Sequence, residues 1–449
     1  MKPIPPKPFR KARRLSPLAY LRAFRRDLLS AQPERLFAAK MAEYRTPFFR
    51  SYLLGEPELI DLVLRARPQD FPKSDRVSEG LRPLLRRAVF LSNGADWARQ
   101  RRIIDPAFEG GRLRATYPSM QEAAQAMIAR LTPGRQDVEP ILSHVAADVI
   151  FRTLFSVPIE DRLAAEVFAA FRTYQRRQPI LNAGAFLRLA AWVPRGIGRR
   201  GRRAATAIRA AITALVEARA AELAAGTAPD DLATKIMTTA DPATGELMAT
   251  QEIVDQVAIL FLAGHETSAS AMAWALYLLS LDPDAQRSAA AEAKENPEFS
   301  DISGATFIRN ALREALRLYP PVPMMVREAT RDETFRGRRV AAGSPLVISP
   351  WHTHRNPRLW EAPDKFDPDR FARPGVPKSG YLPFSAGPRI CPGAGFAMVE
   401  MTLILSVVLA RFELRPMPGR EPVPVAHLTV RGRDGIWLEL QPRRAAPKT

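Results

Sequence analysis

Cysteine occurs once in the 449 residues, at Cys391, inside FSAGPRICPGAGF, Phe384 to Phe396. One thiol cannot close an internal disulfide, so either packing or reactivity accounts for it. Its neighbours favour reactivity. Pro392 and Gly393 lead into an apolar run, which sets the sulfur near a helix N-terminus, where free N–H groups and the helix dipole favour a thiolate. Arg389 is a fixed cation two positions upstream, while Gly387 and Gly393 permit tight turns and the close approach of something flat. A soft thiolate held in such a loop is what an axial iron ligand requires.

A second group lies in AGHETS, Ala263 to Ser268, midway along an apolar helical segment from about Gln251 to Leu281. A carboxylate inside such a helix is costly unless it has a partner or a task. Gly264 and Thr267, three apart, share a face with Glu266 beside them. Gly264 leaves room for a small ligand against the backbone, Thr267 supplies a hydroxyl and Glu266 a proton source. Glu314 and Arg317 are spaced i, i+3 for an ion pair, and Trp97 and Arg101 are spaced i, i+4, which puts an indole N–H and a guanidinium on one face. The five histidines form no metal-ligand spacing, and His265 is expected to point away from Thr267.

The order of these motifs resembles the cytochromes P-450. Phe384-x-x-Gly387-x-Arg389-x-Cys391-x-Gly393 is similar to that family's haem-binding signature, and AGHETS to its oxygen-binding groove with an acid–alcohol pair. Glu314-x-x-Arg317, followed by YPPVP and KFDPDRF, resembles the family's helix pair, with Arg370 as third member, locking an irregular segment under the haem. The resemblance implies Cys391 as axial ligand of a haem b iron, and Trp97, Arg101, Arg327 and Arg389 as partners of the haem propionates. Ala263, Gly264, Glu266 and Thr267 would bind O2 and relay protons. The implied fold is mainly α with minor β: a triangular helical prism with one long helix over the haem. It would form one catalytic domain from 16 to 449 behind a basic, solvated tail of residues 1–15.

The implied reaction inserts one atom of O2 into a C–H bond of a hydrophobic substrate, such as a fatty acid, a terpenoid or a carotenoid-like lipid. Pocket walls are expected from the loop around 77–92, from Phe261 and Ala263, from Met324, Met325 and Val326, and from a hairpin tip near Val430. With the sequence ending at Thr449, no fused reductase is expected; NAD(P)H electrons would arrive through a separate ferredoxin or flavodoxin-type partner and its reductase. A donor-independent peroxygenase or lipid isomerase would lack the Glu266–Thr267 pair. A haem sensor would not need it, and a plain helical interaction protein would explain none of the motif order.

The elements that must position these residues read as follows. A strand leads into a helix over FRSYLLGEPELIDLVLRA, residues 76–94 are loop-rich, and a basic helix starts at SNGADWARQRR. Helices fill 121–281 apart from a break near 178–203, continue to Leu318 and stop at YPPVP. Short β-runs occupy 322–348, proline-rich irregular chain 350–390, a helix about 393–411, and the end resembles a hairpin turning near Gly432.

A net charge of +19 invites an anionic membrane surface or an acidic protein; without any nucleic-acid motif, nucleic acid is disfavoured. The resemblance implies that Arg99, Arg101 and Arg102 lie on a helix bordering the electron-donor face, where an acidic ferredoxin would be steered. RGIGRRGRR, Arg195 to Arg203, reads either as a solvated charge run or as a contact with an anionic membrane, and an amphipathic stretch with Leu18, Leu21, Phe24 and Leu28 either as a helix packed on its own domain or as one lying peripherally on a membrane surface. The N-terminus has no secretory h-region and the chain no uninterrupted run of 18 apolar residues, which points to the cytoplasm.

Overall fold

The computed structural model describes residues 2–8, 19, 22–23, 27–45, 50–109, 111–175 and 198–443. Its helices are α1 (Pro57–Asp61), α2 (Asp75–Leu85), α3 (Gly94–Ile104), α4 (Arg112–Ala115), α5 (Tyr117–Ile128), α6 (Val138–Phe155), α7 (Arg162–Gln175), α8 (Arg199–Ala225), α9 (Leu232–Thr238), α10 (Thr250–Leu281), α11 (Pro283–Glu292), α12 (Phe299–Gly304), α13 (Thr306–Leu318), α14 (Pro350–Thr353) and α15 (Ala394–Arg411). The strands are β1 (Met41–Arg45), β2 (Arg50–Leu54), β3 (Gly134–Asp137), β4 (Met325–Glu328), β5 (Glu333–Phe335), β6 (Arg338–Val340), β7 (Pro345–Ile348), β8 (Phe412–Pro416), β9 (Pro424–Ala426), β10 (Val430–Gly432) and β11 (Trp437–Pro442). The largest sheet runs β1-β2-β7-β4; β2 and β7 are its parallel pair, and Met325 sits opposite Ile348. A mainly α fold with minor β is therefore observed.

Helix α10 is the axis of the molecule. It is apolar around its circumference, which only a helix buried among others tolerates, and it packs against α6, α8, α13, α15 and β8. Its start is held by Glu252, whose Oε2 accepts from the Ala249 N–H at 3.0 Å. At its end the Asp282 carboxylate accepts from the Ala285 N–H at 3.0 Å and Pro283 opens α11. Trp274 stacks on Tyr319 at 3.8 Å, which fixes α10 against the end of α13. Helix α15 is long and apolar enough by composition to cross a membrane, yet it is packed against α5, α10, α11 and α13.

Four regions differ from the sequence reading. Residues 75–85 form a helix despite Gly80 and Pro83, since α2 packs on α8 and α10. The terminal hairpin joins β9 to β10 through residues 427–429, and β11 instead pairs with β3 and β8. Of the break expected near 178–203, residues 178–197 lie outside the described residues, and Arg199 to Arg203 are already helical, as the start of α8. Residues 2–8 are a pinned strap rather than a solvated tail. The Phe366 N–H donates to Pro3 O at 3.0 Å, the Tyr319 hydroxyl to Pro6 O, and Lys7 pairs with Asp364. Residues 9–15, with Leu18, Leu21 and Phe24, lie outside the described residues, as do Arg195 to Ile197.

Candidate active site

The Cys391 loop is held through its backbone groups, by backbone and side-chain partners. Phe384 O accepts from the Cys391 N–H at 3.0 Å, and the Leu382 N–H donates to His354 Nε2 at 2.7 Å. Gly387 adopts φ +69, and a Cβ there would stand 1.8 Å from the Leu64 carbonyl oxygen, so no other residue fits. At Gly393 the backbone makes no such demand: a Cβ would meet only Phe108, at 3.8 Å. Arg101 Nη1 donates to Ile390 O at 2.7 Å, which ties α3 to the residue beside the thiol.

Cys391 is exposed in surface area, yet burial is the largest influence on its thiol and pushes its pKa up. A group both open and enclosed lies on the floor of a recess. The Gly393 N–H and Arg101 act in the other direction but do not prevail, which corrects the expectation that the helix end would by itself favour a thiolate. Burial thus disfavours the free thiolate, whereas a thiol that coordinates a metal is deprotonated outright.

Cations gather beside the loop. Arg389 lies over the Trp97 ring at 4.4 Å and donates to Asn93 Oδ1 at 2.8 Å. Arg327 on β4 is buried, and burial lowers its pKa to about 10. Arg389 is also lowered to about 10, by burial first and then by Arg327 and Arg101. Lys73 joins them: burial, followed by Arg327, Arg389 and Arg101, holds its ammonium well below the ordinary value. Lys73 was missed in the sequence because no motif marks it. An antiparallel bridge to Arg327 and the Asn93 side chain, which accepts from the Lys73 N–H at 3.0 Å and donates to its carbonyl, place it there. The carboxylate in this group is Asp105, 2.8 Å from Arg101. An open sulfur next to such an excess of buried and half-buried cations fits haem, the sulfur for its iron and the cations for its two carboxylates.

Across α10 the burial pattern opens in the middle. Ala263 is exposed and Gly264, Glu266 and Thr267 are half-buried, between fully buried Leu262, His265 and Ser268. Thr267 Oγ1 donates to Ala263 O at 2.5 Å, the local back-bond that loosens a helix at that turn. Ser268 donates to Glu400 Oε2 on α15 at 2.8 Å, bringing this stretch against the helix that continues from Cys391. Gly264 departs from expectation: its missing side chain makes room for Ile150 of α6, 2.5 Å from where a Cβ would be, rather than for a ligand. His265 turns away from Thr267, as expected, into Phe168, Phe171 and Phe261, with burial lowering its pKa to about 4.

Glu314, Arg317 and Arg370 do come together. Arg317 donates to both Glu314 oxygens at 2.7 and 2.8 Å, and Arg370 Nε to Glu314 Oε1 at 3.3 Å. Arg317 also donates to the carbonyls of His354, Pro363 and Lys365, which pins the irregular chain below the loop. The neutral His354, lowered to about 3 by burial, links that network to Leu382.

Of the expected pocket walls, Ala263, Met324, Met325 and Val326 are open or half-open. Phe261 is not a wall: it is 1% exposed and packed on Phe151 and Phe171. Val430 is not one either, being fully buried with its carbonyl accepting from Ser270 and from Trp274 Nε1. In the expected wall around 77–92, residues up to Leu85 belong to α2, and after it the N–H groups of Arg87 and Val89 donate to Asp255 Oδ2 and Gln256 Oε1 of α10 at 3.1 and 2.9 Å, which ties that segment to α10. Arg99, Arg101 and Arg102 are engaged internally, by Glu252, Asp105 and Asp241 respectively.

The family model described as Cytochrome P450 matches residues 44–438. Cyclooctatin synthase of Streptomyces melanosporofaciens is 34% identical over 88% of this chain and 86% of its own length. Cyclooctat-9-en-7-ol 5-monooxygenase of the same organism is 32% identical, over 84% and 83%. Taurochenodeoxycholic 6 alpha-hydroxylase of Sus scrofa is 29% identical, over 87% and 81%.

Proposed function

The chain belongs to the cytochrome P450 family, and from that premise we propose that it hydroxylates a cyclic, largely hydrocarbon alcohol. It is a haem–thiolate monooxygenase, an oxidoreductase that uses O2 on a hydrophobic substrate. The observation that carries the residue assignments is the Cys391 loop, an open sulfur beside four cations. Cys391 would hold the iron. Arg101, Arg327, Arg389, Lys73 and Trp97 would hold the propionates, and Phe384, Gly387 and Gly393 would shape the loop between them. Bound haem supplies the reductive activation of O2.

The remaining work falls to side chains of α10. Glu266 holds a proton at the opened stretch, and Thr267, whose hydroxyl rests on the Ala263 carbonyl, passes it toward the recess. This acid–alcohol pair favours the reductive route over a peroxygenase or isomerase. Glu314, Arg317 and Arg370 hold the supporting chain. The half-open Met324, Met325 and Val326 and the exposed Phe90 favour an apolar ligand, Met being adaptable in shape. The 34% and 32% identical relatives favour a cyclic substrate over a fatty acid.

Electrons would come from NAD(P)H through a ferredoxin or flavodoxin-type partner and its reductase. Because Arg99, Arg101 and Arg102 are already paired, their attraction for an acidic donor is reduced. Arg199, Arg200, Arg202 and Arg203 are different: they are exposed at the N-terminus of α8, where cations oppose the helix dipole, and show no carboxylate partner among the described residues. They favour a cytoplasmic protein that touches an anionic membrane, releasable by high salt.

The test is turnover of the holoenzyme with ferredoxin, ferredoxin reductase, NADPH and isotopically labelled O2, offered cyclooctat-9-en-7-ol or a long-chain fatty acid. Labelled product from the cyclic alcohol is expected. Oxygenation of the fatty acid alone overturns the substrate reading, and unlabelled product overturns the reductive route.

A further inference from the structure

Glu400 is a buried acid with no part in the chemistry above. It lies in the second turn of α15, fully buried, with Oε2 accepting from Ser268 Oγ at 2.8 Å and Oε1 without a hydrogen-bond partner. Ser268 is 2% exposed and follows Thr267 directly on α10. The pair is thus a polar stitch, in an otherwise apolar seam, between the helix continuing from the thiol and the helix bearing the acid–alcohol pair.

We propose that Glu400 is a positioning residue for the Glu266–Thr267 stretch, acting through Ser268; this rests on the reading of that stretch given above. Burial raises Glu400 from 4.5 to about 8, the bond from Ser268 offsetting only part, so the acid is neutral at pH 7. Ionisable groups on the elements packed against α15 are engaged elsewhere. Glu122 of α5 pairs with Arg152, Asp284 and Arg287 of α11 with each other, and Asp301 of α12 with Lys294. Glu292 of α11 accepts from the Phe307 and Ile308 amides, Glu314 pairs with Arg317 on α13, and Glu413 with Arg415 on β8. None of them, nor His265 or Glu266 on α10, shifts Glu400.

The neutral acid suits a seam with one hydroxyl donor. Its anion does not: a carboxylate there lacks donors for its second oxygen and draws in water or opens the contact. Ser268 then loses its anchor, and the turn carrying Thr267 is no longer held. Water admitted beside Thr267 diverts electrons to peroxide instead of product.

Glu400→Gln keeps the neutral form at every pH and is the decisive variant. In the wild-type holoenzyme, infrared spectroscopy should show a protonated carboxyl band at neutral pH that bleaches with a midpoint near 8 and is missing from Glu400→Gln. The share of electrons released as peroxide should rise at least about twofold above that midpoint in the wild type and stay level in Glu400→Gln. Relative to Glu400→Gln, the extra stability of the wild type is present below 4.5 and lost as pH climbs to about 8, because the folded state alone retains the proton. Ser268→Ala should release more peroxide at all pH values, with Ser268→Thr restoring coupling. No carboxyl band at neutral pH, or an equal rise in Glu400→Gln, overturns the proposal. Unchanged coupling in Thr267→Ala would instead overturn the reading of Thr267 beneath it, and the infrared band separates the two failures.

Discussion

The loop carrying Cys391 and the opened middle of α10 are built in opposite ways. Backbone and buried charge hold the loop from several sides: the Leu64 carbonyl presses on Gly387, His354 holds Leu382, and Arg101 holds Ile390. Beneath it the Glu314–Arg317 pair is fully buried and distributes donors over three carbonyls. The opened stretch of α10 has the Thr267–Ala263 bond and the Ser268–Glu400 stitch, and its side chains are half-exposed. One region is over-determined, as a fixed ligand position requires; the other keeps freedom for a ligand and protons. Substitutions in the first should therefore be read in folding, and in the second in chemistry.

Glu314→Ala should break this contrast most severely. It leaves Arg317 buried and unpaired, a loss of about 3–5 kcal/mol, and denaturant unfolding together with haem content after purification would record it. Gly387→Ala comes next, at roughly 3 kcal/mol, since a methyl group meets a backbone carbonyl at a positive φ; a midpoint shift in the same titration is the measure. Acid should act on the loop side through His354. Its folded pKa of about 3 lies below the ordinary 6.5, so the unfolded chain binds the extra proton and stability falls as pH drops from 6.5 toward 3. A His354→Gln protein should show a flatter profile across that window. Thr267→Ala should change stability by less than about 1 kcal/mol while sharply raising the peroxide released per NADPH consumed. Unaltered coupling would remove Thr267 from the proton path.

Legibility followed the range over which each residue acts. The Cys391 loop could be read because Phe384, Gly387, Arg389 and Cys391 work within one short segment, and Gly387 indeed stands where only glycine fits. Glu314 and Arg317 were readable from helical spacing, and their meeting with Arg370 from a neighbouring motif. Lys73 and Glu400 were not, because their partners, Arg327 and Ser268, lie far away in sequence and no local pattern announces them. The facing of Phe261 and Gly264 was misread for another reason: α10 is apolar on every side, so periodicity cannot say which side meets α6 and which the recess. Helix α2 was hidden by Gly80 and Pro83, whose local preference tertiary packing overrides.

The account stands on Cys391 as the iron ligand, and the absorption spectrum of the reduced protein under carbon monoxide tests that most directly. A strongly red-shifted Soret band in the wild type, lost in Cys391→Ser, is the predicted result. No haem band, or a band typical of histidine ligation, would contradict the account and leave Cys391 an ordinary thiol.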